Sequence, residues 1–139
     1  MKPISVEEVE YLAYSLANEQ MTWDEPIPDF GTRYPGVLES CLGAAYQTYA
    51  KKELYPSMLD KAVIIFYLMI KNHPFMNGNK RLAISTMLTF LYINRKWLDV
   101  SNDDLYAFAI WVAASNPRLK EGVVLAIHSF IKGGMTDLG

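Results

Sequence analysis

Lys71-Asn72-His73-Pro74-Phe75-Met76-Asn77-Gly78-Asn79-Lys80-Arg81 joins a histidine to a run of small, amide and basic residues between two strongly apolar segments. Before it, Ser57-Met58-Leu59-Asp60 has the form of a helix N-cap with an acidic residue three positions on. The run Ala62-Val63-Ile64-Ile65-Phe66-Tyr67-Leu68-Met69-Ile70 that follows is apolar on every face, which predicts a central buried helix. After the loop, Ile84, Met87, Leu88 and Leu91 recur at i, i+3, i+4 and i+7. They predict an amphipathic second helix from near Asn79 to just before Asn94. The quoted stretch is therefore a loop between two core helices.

A helix N-terminus offers backbone N–H groups and roughly half an elementary positive charge to an anion, so phosphate is the natural ligand at the start of the second helix. Gly78 removes a side chain where backbone must approach phosphate oxygens, Asn79 carries an amide donor, and Lys80 and Arg81 add cationic donors. His73 can take a proton from an incoming hydroxyl at neutral pH. Taken singly, each feature also has a plain structural reading: a lone histidine between helices is commonly a hydrogen-bonded structural residue, and Gly-Asn-Lys-Arg is commonly a solvated helix start. Their coincidence with Pro74 and Phe75 at fixed spacing favours the chemical reading.

The pattern His73-Pro74-Phe75, two residues, Gly78-Asn79-Lys80-Arg81 resembles the signature of the Fic/Doc family, and within it the Doc (death-on-curing) branch. In the Fic branch the position of Lys80 is usually glycine and a second arginine stands where this chain has Ile84. The resemblance implies an all-α fold, a Fic/Doc-type helical bundle with a short β-like flap. It implies His73 as general base, Phe75 with Pro74 as the structural anchor of the loop, and Gly78, Asn79, Lys80 and Arg81 as the grip on the phosphates of ATP or another NTP. Doc proteins transfer a γ-phosphate to a translation elongation factor and are toxins neutralised by a partner antitoxin; Fic proteins usually transfer AMP. A lysine at position 80 puts bulk and charge where Fic proteins hold the α and β phosphates, which favours the Doc orientation.

One position departs from the pattern. Most members carry Asp or Glu as the Mg²⁺ ligand where this chain has Asn77, whose neutral amide oxygen is a weaker partner for a hard cation. Three functions follow: a Doc-like phosphotransferase toxin that inhibits translation, a Fic-type AMP or nucleotidyl transferase, and a catalytically weakened domain kept as a binding module. Ser15-Leu16-Ala17-Asn18-Glu19-Gln20 comes close to the self-inhibitory helix of many Fic proteins but fails at Gln20, and the arginine it would engage is replaced by Ile84. Control by a separate antitoxin is the expectation.

Pro35-Gly36-Val37-Leu38-Glu39-Ser40-Cys41-Leu42 resembles the short helix before the family's flap, and Ala44-Ala45-Tyr46-Gln47-Thr48-Tyr49 occupies the flap position. In the family the flap docks the target segment as an added strand, so Tyr46, Gln47, Thr48 and Tyr49 are candidate target-docking residues. The competing reading makes Gly36 to Ala50 one surface helix.

Elsewhere, Ser5-Val6-Glu7-Glu8 is a capping box opening a helix to about Glu19, with Val9, Leu12, Ala13 and Leu16 on its apolar face. Thr22 to Pro35 reads as a proline-rich loop. Ser101-Asn102-Asp103-Asp104 starts a helix to about Ser115, and a last helix runs from about Leu119 to Lys132, with a flexible tail over 133–139. His128 reads as structural, and Arg95 and Lys96 as solvated charges at a helix end.

With 139 residues, 51% of them hydrophobic, the chain is expected to form a single domain over 1–139. A formal net charge of −2 and a pI near 5.6 argue against a nucleic-acid partner. Cys41, the single cysteine, cannot form an internal disulfide, and no signal-peptide pattern opens the chain, so the expected location is cytoplasmic. The apolar run 62–70 is shorter than the roughly 20 residues a membrane span needs.

Overall fold

The structure, a computed structural model, describes residues 1–21 and 26–138. Two antiparallel-sequence neighbours, α4 (Met58–Asn72) and α5 (Asn79–Ile93), form its centre and pack along each other. Around α4 lie α3 (Val37–Ala44), α6 (Asn102–Ala114) and α7 (Lys120–Gly134); α5 is flanked by α6 and by an N-terminal helical run. That run consists of α1 (Val6–Glu8), a π-helical turn (Val9–Ala13) and α2 (Tyr14–Gln20). The fold is helical, with two small two-stranded sheets: β1 (Thr48–Tyr49) with β2 (Lys52–Glu53), and β3 (Lys96–Leu98) with β4 (Met135–Asp137). Among the described residues, no helix is long and apolar enough to cross a membrane.

Ser57 begins α4 with a complete capping box: its side chain accepts from Asp60 N while the Asp60 carboxylate accepts from Ser57 N. The apolar run behind it is buried on nearly every face. The second core helix differs from its expected amphipathic form. Every residue of α5 from Arg81 to Leu91 is buried, because neighbours cover it on all sides. Two of its interior hydroxyls bond back to the helix itself: Thr89 donates to Ser85 O at 2.7 Å and Ser85 to Leu82 O at 3.3 Å.

The first helix forms where the Ser5 capping box places it, with Val9, Ala13 and the half-buried Leu16 on the expected apolar face but Leu12 off it. Val9, Ala13 and Ala17 are buried at a spacing of four, whereas Leu12 is 47% exposed. The π turn explains the change, since i→i+5 bonding underwinds the helix and carries Leu12 out of register. Of the proline-rich loop, residues 22–25 lie outside the described residues; the rest includes a 3₁₀ turn at Phe30–Thr32.

The tail is a correction. Instead of fraying, β4 pairs with β3 in the register Lys96↔Asp137, Trp97↔Thr136, Leu98↔Met135, and Lys96 forms an ion pair with Asp137. Lys96 is thus a strand residue rather than a solvated helix end. The alternative of one helix from Gly36 to Ala50 also fails, since α3 ends at Ala44 and a hairpin follows. His128 is half-buried, with Nε2 3.5 Å from Asp60 Oδ1.

Candidate active site

His73 ends α4 in the left-handed region, at φ 50 and ψ 66, and is exposed. The proline after it disfavours helical backbone at His73, which is why the helix stops here. Lys71, two residues back, points elsewhere: its ammonium donates to Ser115 O at 2.6 Å and to the Val112 and Ala113 carbonyls at 3.3 Å, closing the C-terminus of α6.

The loop after His73 is fixed by its next two residues. Pro74 is buried and its carbonyl accepts from Tyr34 N at 3.0 Å. Phe75, 1% exposed, packs edge-on to Tyr14 with ring centroids 5.7 Å apart and lies 6.2 Å from the Phe30 ring. Arg33 completes this cluster, 4.3 Å above Phe30. Burial pushes the Tyr14 phenol up to about 12, with Arg33 opposing the rise. Tyr14, Phe30 and Arg33 were not legible as supports of the loop, because they come from distant segments with no periodic relation to it.

Met76 and Asn77 form the exposed bend of the loop. Gly78 then opens α5 at φ 70, without a capping side chain. A β-carbon at Gly78 would lie 3.4 Å from Ile27 Cγ1, so the segment at Pro26–Ile27 packs directly over the start of the helix. Asn79 faces inward: Oδ1 accepts from Phe75 N at 2.9 Å, and Nδ2 donates to Phe75 O at 2.9 Å. Nδ2 also lies 3.4 Å from His73 Nδ1. Since Asn79 is the first residue of α5, this nitrogen of His73 faces the helix start.

The other two expected phosphate residues diverge. Lys80 is half-exposed, whereas Arg81 is 5% exposed and donates from Nη2 to Ala17 O at 3.1 Å, reaching the C-terminal part of α2. His73 and Asn77 are thus exposed and Lys80 is half-exposed, whereas Gly78 is buried, the Asn79 amide is turned to Phe75 and Arg81 is rooted in the core. Asn77 supplies only an amide, and among the described residues no group of three or more His, Cys, Asp or Glu side chains is arranged to hold a metal. A neutral amide oxygen is a weaker partner for Mg²⁺ than a carboxylate.

Of the candidate docking residues, Thr48 and Tyr49 form β1, opposite Glu53 and Lys52, while Tyr46 and Gln47 precede it. All four are exposed. The turn between the strands puts Ala50 at φ 53 and Lys51 at φ 67, the pattern of a type I′ turn without the glycine or asparagine it favours. Each such residue costs on the order of 1–3 kcal/mol. A cleft of about 870 Å³ lies elsewhere, lined by Trp111, Leu119, Lys120 and Val123, and includes no residue of the loop.

A model of the Fic/DOC family matches residues 3–91, which takes in the first helix, the hairpin, α4, the whole loop and most of α5. Among curated proteins, Toxin Doc of Mycolicibacterium smegmatis is 34% identical over 59 residues, 42% of this chain and 45% of that protein. The matched part thus spans less than half of that relative. No solved structure matches. With the family's match running unbroken through both core helices and the His73–Arg81 loop between them, the chain belongs to the Fic/DOC family.

Proposed function

We propose that the chain is a single Fic/Doc domain acting as a Doc-like toxin: it transfers the γ-phosphate of ATP or another nucleoside triphosphate to a hydroxyl of a protein in the translation machinery. In this reading it acts in the cytoplasm and a partner antitoxin restrains it. The observation that carries the reading is the facing of His73 Nδ1 toward Asn79 at the start of α5, which sets a proton acceptor beside a helix N-terminus. The likeness to a protein named Toxin Doc supports it.

In this mechanism the triphosphate lies against the start of α5, where Lys80 adds charge and Gly78, buried beneath Ile27, keeps the left-handed turn into the helix. The target hydroxyl loses its proton to His73 as its oxygen attacks the γ-phosphorus. The bond from that phosphorus to the bridging oxygen breaks, and the nucleoside diphosphate leaves with the electron pair. Arg81 braces the helix start through Ala17 O and thereby keeps its backbone donors in place. Mg²⁺ would be met by substrate phosphates and at most one amide oxygen from Asn77, so no step is assigned to it. That same amide favours a second reading, a weakened domain retained for binding. Incubation of the chain with Mg²⁺, bacterial lysate and ATP labelled at either the α or the γ phosphate separates these. Label from γ is the expected result; label from α indicates AMP transfer, and transfer from neither overturns the enzymatic reading.

A further inference from the structure

Lys61 is the largest of the fully buried side chains, at 1% exposure, and it stands in the first turns of α4. Both facts run against expectation. Burial penalises an ammonium, and a cation near a helix N-terminus opposes the helix dipole. Three acceptors surround its nitrogen: Ala45 O at 2.9 Å, Tyr55 O at 2.5 Å and Glu53 Oε1 at 3.1 Å, with the Tyr46 ring centroid 4.6 Å away. These use all three donors of the ammonium. Ala45 ends α3 just before the hairpin, Glu53 is on β2, and Tyr55 follows it. One charge therefore fastens both feet of the segment 46–54. The hairpin itself offers little to hold its shape, with two exposed residues per strand and a turn that forces Ala50 and Lys51 to positive φ.

We propose that Lys61 is a positioning residue that holds the β1–β2 hairpin in one arrangement for docking of a protein acceptor; the docking part rests on the function proposed above. A methionine would fill a similar volume in an otherwise apolar helix face shared with Ile65 and Met69, but it would leave the three acceptors without their donor. Backbone amide exchange over residues 46–54 is the direct measurement, on wild type, Lys61→Met and Glu53→Gln. Glu53 is half-exposed, so its variant keeps the fold even where Lys61→Met does not. The expected result is faster exchange confined to this segment in either folded variant. Unchanged exchange in Glu53→Gln, together with unchanged exchange or global unfolding in Lys61→Met, overturns the proposal.

The second measurement is transfer from γ-labelled ATP to increasing amounts of lysate protein. Loss of positioning should raise the half-saturating amount of acceptor about fivefold, with maximal rate and half-saturating ATP nearly kept, the pattern of lost binding rather than lost chemistry. A general structural role would lower the maximal rate as well. Faster exchange without a change in acceptor saturation would overturn the docking role while leaving phosphotransfer standing. If wild type transfers no label, the proposed function fails and the exchange measurement alone decides whether Lys61 holds the hairpin.

Discussion

The side-chain amide of Asn79 grips both backbone groups of Phe75, accepting from its N–H and donating to its carbonyl, each at 2.9 Å. Only one orientation of the amide satisfies both bonds, so it is an N–H that faces His73 Nδ1 at 3.4 Å. The neutral imidazole should therefore carry its proton on Nε2 and its lone pair on Nδ1, so the target hydroxyl must displace this N–H from Nδ1 before His73 can take its proton. Nitrogen-15 chemical shifts of His73 above its titration check this, and a proton found on Nδ1 would contradict it. Asn79→Ala should cost about 1–3 kcal/mol of stability, because it leaves the Phe75 backbone groups unpartnered.

His73 carries backbone strain as well as the expected proton-accepting role. His73→Ala keeps the strain and should lower transfer by about 10²- to 10⁴-fold. His73→Gly should be equally inactive yet more stable by roughly 0.5–1 kcal/mol, because glycine accepts φ near 50 without penalty. Urea unfolding of the two variants together with transfer assays tests the pair. A glycine variant less stable than the alanine variant would show that the left-handed backbone at this position is relaxed.

Asn77→Asp adds the negative charge that the bend lacks. The variant should reach half-maximal transfer at a lower Mg²⁺ concentration and run faster than wild type, since a carboxylate is the stronger ligand for a hard cation. If its Mg²⁺ dependence and rate match those of wild type, Asn77 is not a weakened metal ligand, and the pair Asn77 and Lys80 is better read as one adapted set.

Burial pushes the Cys41 thiol up from 9.0 to about 11. Because the unfolded chain releases this proton first, the native state is favoured below pH 9.0 and loses that advantage as pH rises toward 11. Tyr14 adds a similar loss between 10.0 and about 12. Urea midpoints measured below and above pH 9.0 should fall on the alkaline side, and Cys41→Ala should flatten the first part of that fall. Native Cys41, fully buried, should also resist thiol reagents until the protein unfolds.

Much of the centre could be read from residue order. The Ser57 cap and the apolar run 62–70 have one structural solution, and α4 and α5 begin and end within a residue or so of where their caps and breakers put them. The buried circumference of α5 could not be read this way, since Thr86 and Thr89 look like a polar face until the helix closes their hydroxyls or neighbours cover them. Position 81 shows a second limit. An arginine three residues after a glycine at a helix start suggests an outward phosphate contact, but the carbonyl of Ala17 that it reaches is brought to it only by tertiary packing. Lys61 had a fainter signal: it shares a face, at spacings of four, with Ile65 and Met69, and a charge on such a face demands partners.

The π turn at Val9–Ala13 has a consequence for how the chain accepts insertions and deletions. It holds one residue more than a regular helix would need, so removing a residue there would restore ordinary α geometry and leave the residues upstream in the register they now hold. Ile4 would keep its buried position, and the Lys2 backbone would keep the Asn94 side chain that it both donates to and accepts from. A deletion placed downstream, within Tyr14–Gln20, would instead displace Ala17 and with it the carbonyl on which Arg81 rests. The same single-residue loss is thus absorbed in one place and transmitted to the loop in the other.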